Sequence, residues 1–388
     1  MTRVRLDYAA TTPARPEAVA AMEPVLSEVF GNPSGAHRDA RAAKAVLEAS
    51  RERIADLLGT APGEIVLTGS GTEADNLAVK GAARDARARD RGDGVVVTAI
   101  EHKAVLASAD RLEREGFRVT RVGAGRDGIV ELDALADALD DRTVVVSVML
   151  VNNEVGTIQP LDEVAEIVRV NAPEAVLHTD AVQAVPWLDV AKSAAAADLV
   201  TISAHKFGGP KGVGALVVRD GVELEPLVEG GGQEAGRRSG TTNVAGVAGM
   251  AAALDATVAT RGETTARVGA LRDRLRSGVL DALPDAFENG ARARTIAGNL
   301  HLGFPGVDAE LLLVALDQLG VEAASGSSCS SGATEPSHVL RAMGISDAQA
   351  AASIRLSLGF PSTDADVDAA LAAIPQAVEQ LRTAALAS

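Results

Sequence analysis

Short apolar runs alternate with helix-like stretches through the middle of this chain, and this alternation limits the folds that the chain can adopt. The runs are rich in β-branched residues and are apolar on both faces, which is typical of strands buried within a sheet. Seven such runs lie at residues 64–69, 95–100, 117–122, 143–150, 175–181, 198–205 and 213–219. The stretches between them, such as 74–89 and 103–116, space their apolar residues as amphipathic helices do. A mainly parallel sheet covered by helices is therefore predicted, with the last two runs as an antiparallel pair.

The pattern changes after residue 243, where strands and helices no longer alternate regularly. The predicted elements there are helices over 244–260, 263–283 and 308–319, strands over 299–304 and 353–359, and a terminal helix from Asp364. A chain of 388 residues commonly forms two domains. We therefore predict a large domain over residues 14–250 and a smaller α+β domain formed by residues 1–13 and 251–388.

Charge and cysteine content exclude several classes of partner and site. The chain has 37 Lys and Arg against 53 Asp and Glu, a net charge of −16, which disfavours nucleic acid or an anionic membrane as a partner. A single cysteine cannot form an internal disulfide, and without a Cys-x-x-Cys pair no zinc or other metal site is predicted. The N-terminus has no apolar signal segment, and the longest apolar run, 144–151, is too short to span a membrane. These features predict a cytoplasmic protein.

The turn that contains Gly71 and Thr72 follows the first predicted strand and precedes a helix. Small residues there allow backbone N–H groups to approach an anion such as a phosphate, whose charge the start of a helix favours. Glycine and threonine are also ordinary residues of turns and helix caps, and turn statistics alone favour that interpretation.

Two neighbouring strand ends carry the residues with the strongest chemical meaning. Asp180 and Gln183 follow one strand, and Ser203, His205 and Lys206 follow the next. Asp180 could be a simple helix cap and Lys206 a surface lysine, but a lysine placed directly after an apolar strand is partly desolvated and suited to Schiff-base chemistry. In open α/β sheets ligands bind beyond such strand ends. A lysine, an acid and a phosphate-binding helix start together indicate pyridoxal phosphate.

With these residues in place, the chain resembles the cysteine desulfurases of the class V aminotransferase family, in the housekeeping and nitrogen-fixation-type group. The similar motifs are LDYAATTP (6–13), GNPSGAHR (31–38), GTEADNLAVKG (71–81), EHKAVL (101–106), VNNEVGTIQP (151–160), HTDAVQAV (178–185), SAHKFGGPKGVGAL (203–216), GGGQEAGRRSGTTN (230–243), SGSSCSSGATEPSHVL (325–340) and SIRLSLG (353–359). The resemblance implies pyridoxal-phosphate fold type I, with a mainly parallel seven-stranded sheet, helices on both faces and a smaller α+β domain.

The resemblance also implies a role for each residue around the cofactor ring. Lys206 carries pyridoxal phosphate, Asp180 pairs with its ring nitrogen, and Gln183 hydrogen-bonds its phenolic oxygen. His102 stacks on the ring and is placed for acid–base work.

The phosphate and the substrate are expected to have their own groups of residues. The resemblance implies that the phosphate is held by Gly71, Thr72, Ser203 and His205. Thr241 completes that site from the neighbouring subunit, so a homodimer is implied. Asn153, which also borders the cofactor, and Arg355 take the substrate carboxylate, a task that suits the fork of a guanidinium.

Cys329 is the only cysteine of the chain and lies among serines and glycines in 325–336. A free cysteine is most often a small buried hydrophobe, but such neighbours cannot form a core around it and indicate a loop. The resemblance implies the long-loop kind of desulfurase, which converts L-cysteine to L-alanine. Sulfur is then held as a persulfide on Cys329 and passed to an acceptor protein.

Other functions remain open at this point. A selenocysteine lyase or another class V aminotransferase-like lyase would share the cofactor residues, and a non-catalytic scaffold could keep the fold. Some housekeeping relatives have a further C-terminal segment that docks the iron–sulfur scaffold protein, whereas this sequence stops at Ser388. Iron–sulfur cluster assembly, thiolation of tRNA or a cofactor, and a pathway-specific carrier are therefore alternative destinations for the sulfur.

Overall fold

The computed structural model describes residues 3–326 and 336–387, so Cys329 lies outside the described residues. The helices of this part are α1 (Pro16–Ser27), α2 (Arg38–Leu58), α3 (Gly71–Asn76), α4 (Ala82–Ala88), α5 (Lys103–Arg114), α6 (Leu132–Ala138), α7 (Leu161–Asn171), α8 (Val190–Ser193), α9 (Val244–Ala282), α10 (Ala309–Gln318), α11 (His338–Ala342), α12 (Asp347–Ala351) and α13 (Asp364–Ala387). The strands are β1 (Val4–Arg5), β2 (Ile65–Thr68), β3 (Gly94–Thr98), β4 (Arg118–Val122), β5 (Thr143–Ser147), β6 (Val176–Asp180), β7 (Leu199–Ser203), β8 (Gly214–Val218), β9 (Phe287–Glu288), β10 (Asn299–Gly303), β11 (Val321–Glu322) and β12 (Ser353–Ser357).

The main sheet has seven strands in the order β2-β8-β7-β6-β5-β3-β4. Only β8 is antiparallel to its neighbours, β7 and β2, while the other pairs in the sheet are parallel. Each strand lies within or overlaps one of the seven predicted runs, and the antiparallel pairing of the last two is confirmed. The carboxyl ends of β2, β3, β5, β6 and β7 consequently meet at one edge of the sheet, where a ligand site is expected.

Both faces of this sheet are covered, as the apolar character of its strands requires. Along β2, Ile65 and Leu67 belong to a core shared with α1, α2, α7 and the first half of α9, whereas Val66 faces α3, α4 and α5. A separate core lies among α10, α13, β10 and β12. That core surrounds a three-stranded sheet of order β12-β10-β9 and a two-stranded β1-β11 sheet. Within the described residues no helix is both long and apolar enough to cross a membrane.

Helix α9 differs from the sequence expectation, because one continuous helix replaces the two predicted over 244–260 and 263–283. The predicted break lies at Gly262, but a glycine inside a helix costs only about 1 kcal/mol relative to alanine. Packing outweighs that cost, since the first half of α9 buries Met250 in the sheet core and the second half buries Leu275 in the other core. The predicted domain boundary after residue 250 falls inside this helix and stays a prediction.

The helix predicted over 74–89 is also more complex than the pattern indicated. It begins at Gly71 and consists of α3, a π-helical turn at Leu77–Gly81, and α4. The Ser70 hydroxyl caps its start by accepting a hydrogen bond from the Glu73 amide at 3.1 Å. This cap fixes the turn that follows β2 at the edge of the sheet where the strand ends meet.

Candidate active site

A cavity of about 680 Å³ opens where the strand ends meet, and ten of the predicted site residues line it. These ten are Gly71, Thr72, His102, Asn153, Asp180, Gln183, Ser203, His205, Lys206 and Arg355. The structure thus brings together residues that are separated by up to 284 positions, 355 − 71, along the chain. Two predicted site residues are not among them: Cys329 lies outside the described residues, and Thr241 is exposed on the chain's surface before α9.

Lys206 lies in a short 3-10 turn that follows β7 directly. Its Nζ donates hydrogen bonds to the carbonyl oxygens of Ala9 at 2.6 Å and Ala10 at 2.9 Å. The Gln183 side chain donates to the same Ala9 carbonyl at 2.9 Å. The N-terminal segment therefore places the lysine amine within the cavity. Sequence reasoning missed the contribution of Ala9 and Ala10, because a backbone carbonyl contact leaves no side-chain signal.

Asp180 ends β6 as a buried carboxylate, only 5% exposed. Its Oδ1 accepts a hydrogen bond from the Val182 amide at 2.9 Å. Burial raises the pKa of Asp180, and the nearby His102 and Lys206 oppose that rise. The carboxylate lies at the cavity beside Lys206 and His102, where it is placed to hold a protonated ring nitrogen.

His102 occupies the position before α5 and caps that helix. Its Nδ1 accepts a hydrogen bond from the Ala104 amide at 3.2 Å, so the neutral ring carries its proton on Nε2. One ring nitrogen of His102 and one oxygen each of Asp75 and Asp180 lie within 4.8 Å of one another. His102 is therefore held with its ring beside the carboxylate that was predicted to pair with the cofactor.

The turn at Gly71 approaches β7 very closely. A methyl group at this position would lie 3.0 Å from Val182 Cγ2 and 3.1 Å from Ser203 Cβ, a fit that only glycine makes without movement. His205, on the same side, is half-buried, and burial together with Lys206 and Lys211 lowers its pKa to about 4. It is therefore neutral at pH 7 and presents a hydrogen-bonding ring rather than a charge. The turn combines the capping role of Ser70 with a close approach to the cavity.

Arg355, in the middle of β12, brings a buried guanidinium to the cavity from the second core. Its Nη1 donates to the Asn153 carbonyl at 2.7 Å and its Nη2 to Asp7 Oδ1 at 2.9 Å. Among the described residues, Arg355 Nε and Asn153 Oδ1 have no hydrogen-bond partner. These contacts anchor the guanidinium by two nitrogens and leave its Nε–H as a donor without a partner among the described residues.

The chemistry of these groups fits pyridoxal phosphate. Lys206 has an amine that could bind the aldehyde, Asp180 a buried carboxylate that suits the ring nitrogen, and Gln183 an amide that could donate to the phenolic oxygen. The capped turn at Gly71 provides backbone N–H groups for a phosphate. A volume of about 680 Å³ lies within the range of small-molecule sites.

Comparison with known proteins agrees with this chemistry. The class-V aminotransferase family matches residues 4–370. The chain is 46% identical to the IscS-like cysteine desulfurase of Mycobacterium tuberculosis, over 99% of this chain and 98% of that protein. It is 41% identical to the cysteine desulfurase IscS of Dictyoglomus turgidum, over 98% and 95%. A solved NifS-like protein superposes with a TM-score of 0.92 at 35% identity, covering 98% of this chain and all of that one. The chain therefore belongs to the class-V aminotransferase family, a family of pyridoxal phosphate enzymes that includes the cysteine desulfurases.

Proposed function

We propose that this protein is a pyridoxal-phosphate-dependent cysteine desulfurase, which converts L-cysteine to L-alanine and transfers the sulfur. One observation carries the proposal: Lys206 and Asp180, at the ends of neighbouring strands, share a single cavity with the buried guanidinium of Arg355. An amine, an acid and an anion-binding cation are what an amino acid substrate and this cofactor require together. The relatives named above are cysteine desulfurases, and they support this activity over others of the family.

The residues divide into those that hold the cofactor and those that hold the substrate. Lys206 would bind the aldehyde, Asp180 the ring nitrogen and Gln183 the phenolic oxygen. The phosphate would be held by Gly71, Thr72, Ser203 and His205. When bound, the cofactor supplies an electron sink for the bonds made and broken at the substrate. Asn153 and Arg355 would orient the substrate carboxylate in the same cavity, which would leave the amino group for Lys206.

Lys206 and His102 would transfer the protons of the reaction. Lys206 Nζ, once the substrate amine has replaced it, is placed to take the proton from the substrate's Cα. His102 holds a proton on Nε2 in its neutral form, as its hydrogen bond with Ala104 dictates, and can deliver that proton within the cavity. The neighbouring Asp180 favours the protonated form of either group because opposite charges attract.

Sulfur transfer is proposed for Cys329, on the sequence alone. The Cys329 thiolate attacks the sulfur of the substrate, and a sulfur–sulfur bond forms while the bond between that sulfur and the substrate's Cβ breaks. The electron pair of the broken bond stays with the carbon, which takes up a proton, and L-alanine leaves. A persulfide remains on Cys329, from which an acceptor thiol can take the outer sulfur.

We further propose that the enzyme is a homodimer that delivers sulfur in the cytoplasm. The exposed Thr241 lies outside the cavity of its own chain, which supports a role across a subunit interface. An iron–sulfur scaffold or a thiolation enzyme is the proposed acceptor, since either offers the nucleophile that a persulfide needs. Chemical crosslinking with light scattering would test the dimer, and capture on a persulfide-loaded column would test the acceptor.

The central experiment follows the products and the cysteine together. Purified protein is incubated with L-cysteine, with and without reductant, while alanine and sulfide are measured and mass spectrometry locates added sulfur. We expect Cys329→Ser to keep the cofactor absorbance and to lose alanine production, whereas the neighbouring Ser330→Ala keeps both. Full turnover by Cys329→Ser would reject the persulfide step. We also expect the purified wild-type protein to show a cofactor absorbance that is lost in Lys206→Ala. If the wild-type protein shows no such absorbance, the proposal that this protein is a pyridoxal phosphate enzyme is rejected.

A further inference from the structure

Three carboxyl groups are buried together beneath the cavity, although the proposed function uses only one of them. Asp180 is 5% exposed, Asp75 is 1% exposed and Glu101 is fully buried. Asp75 and Asp180 both line the cavity, whereas Glu101 lies behind it and accepts hydrogen bonds from the Met149 amide and the Thr98 hydroxyl. Buried carboxyl groups are rare without paired charges. The burial of Asp75 and Glu101 therefore requires an explanation.

Asp75 lies close to Asp180 and lines the same cavity. It lies on α3, and one of its oxygens is within 4.8 Å of an oxygen of Asp180. Its Oδ1 is 3.6 Å from His178 Nε2 and has no hydrogen-bond partner within residues 3–326 and 336–387. Thr201 hydrogen-bonds the same carboxyl group. The carboxyl group of Asp75 therefore lies close to Asp180 and has one buried oxygen without a protein partner in the described residues.

No positive charge balances Asp75 from the side of His178. Burial lowers the pKa of His178 to about 3, so that ring is neutral, and it exchanges hydrogen bonds with Ser147 at 2.9 Å and Thr201 at 3.1 Å. Burial and the neighbouring charge of Asp180 raise the pKa of Asp75 well above its ordinary value. Two carboxyl groups in such a site do not both ionise, and one of them keeps its proton.

The two members of the pair do not have the same surroundings. Asp180 lies near His102 and Lys206, which both oppose the rise in its pKa, and its carboxylate accepts a hydrogen bond from the Val182 amide. Burial also raises the pKa of Glu101, to about 8, so Glu101 stays protonated near pH 7 and adds no charge. Asp180 is thus the one member of the cluster whose environment supports an anion.

We propose that Asp75 is a positioning residue for Asp180: its neutral carboxyl group directs a hydrogen-bond donor towards Asp180 and leaves the cluster's single negative charge there. This inference rests on the proposed function, because it concerns the carboxylate that would hold the cofactor's ring nitrogen. The separation of up to 4.8 Å closes by a small movement or through one water molecule, as such contacts tighten when a ligand binds. Asp75 would act on the cofactor only through Asp180.

The test compares two substitutions of similar size. Asp75→Asn stays neutral and keeps a donor, whereas Asp75→Leu is neutral without one. Apoenzyme is titrated with pyridoxal phosphate, and the dissociation constant and the pH midpoint of the cofactor's visible absorbance are measured. Asp85→Leu, in the same helical stretch but outside the cavity, is the matched control.

We expect Asp75→Asn to bind the cofactor as the wild type does and Asp75→Leu to bind it about tenfold or more weakly, the loss of one charge-assisted hydrogen bond. Asp75→Leu should also move the pH midpoint, which a merely structural role would not do. In a double-mutant cycle at millimolar cofactor, the effect of Asp75→Leu should disappear in an Asp180→Asn background.

Several results would overturn the role of Asp75. These are wild-type affinity in a folded Asp75→Leu variant, an Asp75→Asn variant as impaired as Asp75→Leu, or a loss that persists undiminished with Asp180→Asn. If Asp75→Leu does not fold, Asp75→Asn decides alone: an unchanged dissociation constant and pH midpoint support a neutral Asp75, and a shift in either rejects it. A wild-type protein that binds no cofactor would instead reject the proposed function itself.

Discussion

Replacing Arg355 by lysine should weaken the binding of the substrate carboxylate while leaving the cofactor in place. The substitution keeps the positive charge but replaces a planar fork with a single ammonium group. Two nitrogens of Arg355 are already bonded, to the Asn153 carbonyl and to Asp7 Oδ1, and Nε has no partner among the residues that the structure describes. A single ammonium nitrogen does not reproduce the planar spread of donors with which the guanidinium reaches both anchors and the cavity.

The size of the effect follows from the hydrogen bonds that a lysine could not make to the substrate. A hydrogen bond to a charged group contributes about 1.5–3 kcal/mol. Losing one such bond to the substrate would raise KM by roughly 10- to 150-fold, since about 1.4 kcal/mol corresponds to a factor of ten. Binding of this kind is made equally before and during reaction, so kcat should change much less than KM.

The assay measures alanine formation over a range of L-cysteine concentrations, with the cofactor absorbance recorded for each preparation. Arg276→Lys is the matched control, because Arg276, in the second half of α9, likewise pairs with a carboxylate, that of Glu288 at 2.6 Å, but does not line the cavity. An Arg355→Lys variant with an unchanged KM, or with a loss confined to kcat, would refute the assignment of Arg355 to the substrate carboxylate.

Two further predictions concern the scaffold. Burial lowers the pKa of His301 from 6.5 to about 3, so the unfolded chain binds a proton that the folded chain excludes, and stability falls as the pH drops below 6.5. His301→Asn should flatten that decline by about 1.4 kcal/mol per pH unit in urea unfolding between pH 6.5 and 5, and parallel curves would contradict this. Gly298→Ala should lower the free energy of unfolding by roughly 1–3 kcal/mol, because its methyl group would overlap the Trp187 ring and lie 2.6 Å from the Leu358 carbonyl. Fluorescence of the single tryptophan reports that transition, and an unchanged midpoint would oppose the prediction.

The strands were predictable because burial on both faces leaves a simple pattern. Each of the seven runs contains or overlaps a strand of the main sheet, and even the reversal of β8 could be read from its short connection to β7. The continuity of α9 could not be predicted in this way. Gly262 is a local signal for a break, whereas the packing that overrides it joins residues from distant parts of the chain.

The candidate site was predictable where side chains follow strands, as Asp180 and Lys206 do. Asp75 was not predicted as a site residue, because a polar residue in a helical stretch is ordinarily exposed to solvent. Only the fold shows that Asp75 is 1% exposed and lies beside another carboxylate. The contacts of Lys206 with Ala9 and Ala10 could not be predicted for a different reason. They use backbone carbonyl groups, which every residue has. Sequence reasoning identifies chemical groups, whereas their charge states depend on neighbours that are remote in sequence.

The unbroken course of α9 limits how the cavity can open. With 39 residues this helix is about 58 Å long, and it contributes side chains to both cores. Rotation of one core about a hinge near residue 250 would bend the helix and break its backbone hydrogen bonds. We therefore expect the two halves of the molecule to keep a fixed spacing, so that the distance between Lys206 and the Arg355 guanidinium is set in advance. Substrate exchange would then depend on segments at the rim of the cavity rather than on closure of one core over the other.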